Sequence, residues 1–489
     1  MPSPPKRLRL MDELGSPKTL MAGHDIVMLA QSPDWLILGL GPDPAALAAE
    51  LPTNARVEYL ECPAFFEQAG EDWRAAIPAA WGRTESFDPH RERNIIMYGS
   101  AMQLFPSFWG PVAATLALPR PAERAPGAGK TALVPAEESR LIASEAARAL
   151  RDEGFQVRAV GPDDLIPVLE ESRPDLFLSV NFAGLDPYGA AQAVLERAGV
   201  PVAVWCVDNP FHSLSGVKTN AWKNIHLFVT DGWFVEPLER YGAKSVRHLP
   251  LAANPDFFKA VPDRPGLQDK LLFVGRSEFP DKKAFFAGLT VPEDAWAEAL
   301  AMLQGGERPD FGWWASRLGT GCLWPGREAR RAGFGAEQSG QAWRSMVIRE
   351  AAQGGGLVVC GDDAWRGLVD APFILLPPVD YYGPLAGMYA SARFVLGAVS
   401  PLLPHGLTQR HFDVWAAGGC LLTDDTPGLS IFPEELTRPV TYRTAQAIPA
   451  LARSLERERA GLIASWRELV ASEHTYGHRI RSILEQITS

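Results

Sequence analysis

The stretch Pro404-His405-Gly406-Leu407-Thr408-Gln409-Arg410-His411-Phe412-Asp413 carries a glycine-containing loop into a predicted helix start. Unpaired N–H groups and the positive end of the helix dipole at such a start suit a diphosphate, with Gly406 and Thr408 in the loop itself. Arg410 offers a charge-assisted fork for the same group. Asp413, one turn further in, can accept hydrogen bonds from ribose hydroxyls. Other polar groups fall where predicted strands end: Gly275-Arg276, Gly361-Asp362-Asp363 and Thr423-Asp424-Asp425. In open parallel sheets a ligand sits beyond the carboxyl ends of the strands. Gly275, Arg276, Gly361, Asp362, Gly406, Thr408, Arg410 and Asp413 therefore form one candidate surface. An ordinary capped helix with surface charge is the competing reading. Gly418-Gly419, directly before an apolar strand, demands close helix–strand packing beside the same loop and favours the functional one. On another strand end, Asp208 follows the apolar run Val202–Val207 and is a candidate general base. A turn-capping role before Pro210 explains it equally well.

Three further patterns are weaker. Gly127-Ala128-Gly129-Lys130-Thr131 resembles a phosphate loop, but Arg124 stands where its first glycine belongs and the segment precedes a strand instead of following one. Leu38-Gly39-Leu40-Gly41, with Glu61 ending the next strand, has the spacing of a dinucleotide or S-adenosylmethionine site, yet Pro44 occupies the third glycine position. A tight strand-to-helix turn accounts for it. His474 and His478, four apart on a helix, suit a metal pair but lack a nearby third ligand, so a polar patch is the expectation.

The elements that must position these residues alternate. Strands are predicted at Thr131–Pro135, Val157–Val160, Leu176–Asn181, Val202–Val207, Leu227–Thr230 and Ser245–Leu249, separated by helical patterns. Near-continuous apolar strands between helices mean a parallel sheet covered on both faces. A second alternating set begins at Leu271–Val274 and resumes at Leu357–Cys360, Phe373–Leu376, Phe394–Ala398 and Gly419–Thr423. A Trp-rich helical insert over about 292–350 interrupts it, and a helical tail closes it. The predicted organisation is a flexible tail (1–24), an accessory α/β module (25–118), a Pro/Gly linker (119–130), and two doubly wound Rossmann-like domains (131–256 and 267–489) facing across a cleft.

Composition narrows the function classes. The 489 residues are 46% hydrophobic and 21% charged, the usage of a folded globular protein. Formal net charge is −11, with no basic face, which disfavours nucleic acid. Of the 47 basic residues only 10 are Lys, and the arginine excess suits a small anion held in a cleft. No apolar run approaches the roughly 18 to 20 residues that span a bilayer, and no secretory signal is evident, so a cytoplasmic protein without an integral membrane segment is expected. Five scattered cysteines, Cys62, Cys206, Cys322, Cys360 and Cys420, indicate neither a disulfide framework nor a zinc site.

From about Thr131 to Ser489 the chain resembles the bacterial glycosyltransferases related to the spore maturation protein CgeB, which share the GT-B fold of two facing Rossmann-like domains. The most specific part is Arg410-His411-Phe412-Asp413 with Ala417-Gly418-Gly419-Cys420-Leu421-Leu422-Thr423. It looks like the family's Arg-x-Phe-Glu followed by Gly-Gly-hydrophobic-Leu-Thr. Glu473-His474-Thr475-Tyr476-Gly477-His478-Arg479 is similar to the family's terminal signature. Phe273-Val274-Gly275-Arg276, Cys360-Gly361-Asp362 and Val207-Asp208-Asn209-Pro210 resemble further strand-end motifs. The resemblance implies sugar transfer from a nucleotide sugar, held mainly by the C-terminal domain, to an acceptor glycan, lipid or protein. His405 and Asp413 stand where many retaining GT-B enzymes place two glutamates, which makes His405 a catalytic candidate beside Asp208. No Asp-x-Asp is present, so a metal-free mechanism using Arg276, Arg410 and backbone amides is expected, with no cofactor beyond the donor substrate. Two alternatives stand: a non-catalytic nucleotide- or sugar-binding protein of the same fold, and a bifunctional protein whose first module is an S-adenosylmethionine-dependent methyltransferase.

Overall fold

A computed structural model describes residues 7–124, 127, 129–136, 141–279 and 281–488. Near its start, Leu8–Met11 (β1) and Pro17–Leu20 (β2) form an antiparallel hairpin. Leu10 and Leu20 are buried, and the Gln68 side chain bonds the Met11 backbone in both directions. Within the segment expected as a flexible tail (1–24), the two inward leucines tie Leu8–Leu20 to the module behind it, and residues 1–6 lie outside the described residues. That module is a five-stranded sheet of His24–Met28 (β3), Asp34–Leu38 (β4), Arg56–Leu60 (β5), Gly82–Arg83 (β6) and Asn94–Tyr98 (β7), in the order β3-β7-β4-β5-β6 with β3 antiparallel.

The next sheet contains Thr131–Pro135 (β8), Gln156–Val160 (β9), Leu176–Val180 (β10), Val202–Cys206 (β11), His226–Val229 (β12) and Ser245–His248 (β13), all parallel. Its order is β13-β12-β11-β10-β8-β9. The third sheet holds Leu271–Val274 (β14), Leu357–Cys360 (β15), Ile374–Leu376 (β16), Phe394–Leu396 (β17), Leu421–Asp424 (β18) and Thr441–Tyr442 (β19) in the order β16-β15-β14-β17-β18-β19, again parallel. The sheets are separate and both doubly wound, the two-domain GT-B architecture. In each, the order reverses beside the first strand, between β8 and β10 and between β14 and β17. Crevices that receive ligands open at such points.

The helical insert consists of Glu293–Gln304, Phe311–Arg317 and Glu328–Gln353. Though the C-terminal sheet brackets it in sequence, much of it packs on the N-terminal domain. Ala329, Ala332 and Ala336 share a core with Trp314, Phe211 and Phe234, whereas Trp343, Val347 and Ile348 of the same helix pack with the C-terminal strands. The 26-residue helix, about 39 Å long at 1.5 Å per residue, thus spans both domains as a strut. Gly335 is required where it passes Trp314, because a Cβ there would lie 2.3 Å from the indole. The closing helix Tyr476–Thr488 returns to pack on Ala143–Asp152 of the N-terminal domain. Among the described residues no helix is long and apolar enough to cross a membrane.

Candidate functional site

On the N-terminal side the site is built at the ends of β10 and β11. Asn181 follows β10 in the left-handed region, with φ +51, and Phe182 after it has φ +63. Conformations of this kind cost free energy and persist where the surroundings impose them. In that pose the Asn181 Oδ1 accepts from the backbone N–H of Val207 at 2.9 Å and of Asp208 at 3.3 Å, while its Nδ2 donates to Asp208 Oδ2 at 2.7 Å. Asp208 is exposed to solvent. Desolvation by the surrounding protein nevertheless holds its carboxyl above the ordinary carboxylate range, against the lowering effect of the Asn181 hydrogen bond. The capping role before Pro210 belongs to the neighbour: Asn209 Oδ1 accepts from Phe211 N at 3.0 Å and opens the helix Pro210–Leu214. That leaves the Asp208 carboxylate available for chemistry.

The two domains meet beside this carboxylate. Asn209 Nδ2 donates to the Leu402 carbonyl at 3.2 Å, and His405 N donates to Asp231 Oδ2 at 2.9 Å. Asp231, at the end of β12, is 1% exposed, and desolvation raises its pKa. Its other oxygen caps the next turn at Trp233 N. The sequence places strand ends at Asn181 and Thr230 but singles out neither Asn181 nor Asp231 as a site residue. An Asn or Asp directly after an apolar strand was the available signal. The His405 side chain is exposed at this seam.

On the C-terminal side the structure brings Gly275, Gly361 and Arg410 together. Arg410 Nη2 donates to the Val274 carbonyl at 2.6 Å, and its guanidinium lies 5.7 Å from the Phe273 ring centroid. A Cβ on Gly275 would stand 3.1 Å from that Nη2, and one on Gly361 would stand 2.4 Å from the Gly275 carbonyl oxygen. These glycines permit the close approach. Arg276, next in the loop, is exposed. Asp362 is held within its own turn, accepting from Ser277 N at 2.8 Å and Ser277 Oγ at 2.7 Å. Desolvation acts to raise its pKa, but the hydrogen bonds from Ser277 outweigh it and leave the group below its ordinary value. Asp424, at the end of β18, braces the loop after β17 by accepting from Val399 N, Arg308 Nη1 and Trp343 Nε1.

Several expectations are corrected. Gly406 is a packing residue, its Cβ position lying 2.8 Å from Val399 and 2.9 Å from Leu403. The helix Arg410–Ala416 has only seven residues. Thr408 N, one of the amides expected to face a diphosphate, already donates to His411 Nδ1 at 3.0 Å. Burial and the Thr423 hydroxyl at 2.9 Å hold that imidazole inside, with its pKa lowered to about 4. Asp413 does not reach the cleft at all. It is 1% exposed, accepts from Asn254 N at 2.9 Å, Gln409 Nε2 at 3.1 Å and Tyr381 OH at 2.6 Å, and desolvation pushes it up to about 7. Both oxygens are engaged, and the carboxyl links its helix to Asn254, 159 residues away.

In the accessory module, Glu61 Oε2 accepts from Leu40 N at 2.7 Å and Oε1 from Cys62 N at 2.9 Å. Desolvation pushes this buried carboxyl up to about 7. A Cβ on Gly41 would lie 3.0 Å from His24 and 3.2 Å from Tyr98. The His24 and Tyr98 side chains thus pack directly against the turn. His474 and His478 turn to different partners, Arg479 at 2.8 Å and Thr475 Oγ1 at 2.7 Å. The phosphate-loop-like segment lies partly outside the described residues.

No curated protein matches this chain. Among solved structures it is similar to the N-terminal domain of trehalose-6-phosphate phosphatase from Candida albicans, at 10% identity over 94% of this chain and 98% of that one, with a TM-score of 0.36. A Listeria monocytogenes protein described as a UDP-N-acetylglucosamine 2-epimerase matches at 10% identity over 74% and 96%, TM-score 0.34. The calicheamicin glycosyltransferase CalG4 matches at 13% identity over 93% and 97%, TM-score 0.27. Residues 343–485 match the family model described as glycosyl transferase-like, so the part of the chain that carries Arg410, the loop after β17 and the closing helices contains a glycosyltransferase-like domain.

Proposed function

We propose that the chain transfers a sugar from a nucleotide-sugar donor to an acceptor hydroxyl, with Asp208 as general base and no metal at the diphosphate. The observation that carries this reading is the seam at which Asp208, fixed by Asn181, stands next to Asn209, which itself touches Leu402 of the glycosyltransferase-like domain. A base from one domain thereby faces a donor held by the other.

In the step envisaged, Asp208 takes the acceptor O–H proton as the oxygen forms its bond to the anomeric carbon. The bond from that carbon to the diphosphate breaks, and its electron pair leaves with the phosphate. Displacement by a base-activated acceptor inverts the anomeric centre. Arg276 and Arg410, beside Gly275, offset the charge that builds on the leaving group, and His405 lines the same seam. A carboxyl with a pKa above the ordinary carboxylate range is a better proton acceptor at neutral pH than an ordinary one.

The test is incubation with a panel of nucleotide sugars and a mixed acceptor pool, in chelator, following release of free nucleotide. Release that Asp208→Asn abolishes supports the proposal. Donor binding without release from any member would instead favour a non-catalytic binding protein, and release that requires added magnesium or manganese would overturn the metal-free mechanism.

A further inference from the structure

A second concave site lies between the accessory module and the N-terminal domain, outside the seam. It is a cavity of about 500 Å³ roofed by helix Pro106–Ala117 of the accessory module and walled by helices Leu165–Glu171 and Ala190–Arg197 of the N-terminal domain. Phe177 of β10 lies within, and Ala113, Ala117, Ile166, Leu185 and Val194 are among the apolar residues that line it. The roof is held down where Gly110 passes Ala193, a Cβ on that glycine lying 3.3 Å from the alanine's.

Size and lining restrict what could occupy it. Volumes of roughly 300 to 1,000 Å³ are those of small-molecule sites. The single charged residue in the lining, Asp186, caps the adjoining helix: its oxygens accept from Tyr188 N at 2.9 Å and Ala191 N at 2.8 Å. With that carboxylate engaged, an uncharged, apolar body is the occupant the walls complement.

Position connects the cavity to the chemistry. Gly184, on its rim, is three residues beyond Asn181, so the two Cα atoms can be no more than about 11 Å apart. Asn181 is the residue that holds Asp208. Gly184 has φ +73 and packs onto Pro135 and Phe177, at 3.0 and 3.3 Å from where its Cβ would be. The loop between cavity and base is thus tightly held.

We infer that this cavity binds the apolar body of the acceptor, an uncharged alcohol of small-molecule size whose hydroxyl projects past the 181–186 loop to Asp208. The accessory module then has a defined part, as the roof of an acceptor site. The inference rests on the transferase reading for the hydroxyl and on the cavity alone for the body, so the experiment separates the two.

The probe is N-phenyl-1-naphthylamine, an uncharged apolar fluorophore, titrated into wild type and into Ala113→Phe and Ala117→Phe, which fill the cavity from its roof. Circular dichroism and melting temperature confirm that each variant is folded. Expected are saturable binding to wild type, weakening by about tenfold or more in at least one folded variant, and displacement by 1-decanol or 2-naphthol. Absence of saturable binding, or equal binding by wild type and both folded variants, overturns the inference. So does binding that neither alcohol displaces. If displacement is seen but no nucleotide sugar releases its nucleotide, the apolar site stands and the transferase reading fails.

Discussion

Asn181 donates from Nδ2 to Asp208 Oδ2 at 2.7 Å while its own backbone sits at φ +51. A strained residue at the end of one strand thereby fixes the carboxylate at the end of the next. If Asp208 is the base, Asp208→Asn should lower kcat by about 10² to 10⁴-fold with little change in donor affinity. In wild type the rate should rise with pH through a value above the ordinary carboxylate range, because desolvation raises Asp208. Asn181→Ala removes a hydrogen bond to the charged form, so that limb should move to still higher pH. A pH–rate profile measures both, and an unmoved limb would show that Asn181 does not tune the base.

Arg410→Ala should weaken binding of a nucleoside diphosphate by about 10- to 100-fold, the range expected for charge-assisted hydrogen bonds worth roughly 1.5 to 3 kcal/mol. Calorimetric titration in chelator reads it. Full affinity in a folded Arg410→Ala variant would confine Arg410 to its contact with Val274.

Asp413 gives a stability prediction whose sign follows from its environment. Its pKa is about 7 in the folded chain against 3.8 ordinarily, with desolvation the main cause. Between those values the folded state binds the proton more tightly than the unfolded state, so its contribution is complete below about pH 3.8 and lost as pH rises through about 7. Glu61 and Glu145 shift in the same direction, so the informative quantity is a difference. The fall in melting temperature from pH 4 to 7.5 should be shallower in Asp413→Asn than in wild type. Equal slopes would mean that the carboxyl is ionised in the folded protein.

Gly361→Ala tests the packing that seats Arg410. The added Cβ meets a backbone oxygen, not a flexible side chain, at 2.4 Å. A loss of about 1 to 3 kcal/mol in urea unfolding is expected, accompanied by weaker nucleoside diphosphate binding as the β14 and β15 ends part. A neutral effect on both would show that the two loops separate easily.

The amino-acid sequence by itself determined the doubly wound pair of sheets. Runs such as Val202–Val207 and Leu271–Val274 are apolar without alternation, and only strands covered on both faces are written that way. It determined the strand-end loops too, because Gly275 and Gly361 lie where apolar runs stop, and it marked Arg410 at a helix start. The hairpin at Leu8–Leu20 was not legible, since two inward leucines among polar residues make too weak a pattern. Tertiary structure alone decided which polar residues face the cleft. In sequence Asp208 follows an apolar strand and Asp413 sits one turn into a helix, and neither position says which carboxylate stays exposed. Asp413 is enclosed by Tyr381, Gln409 and Asn254, the last 159 residues away, whereas Asp208 keeps one side open because Asn209 takes the cap. It alone also decided that the insert within the second domain packs on the first and that the accessory module roofs a cavity. Burial and hydrogen bonding between distant segments depend on how finished elements pack against one another, which local periodicity does not encode.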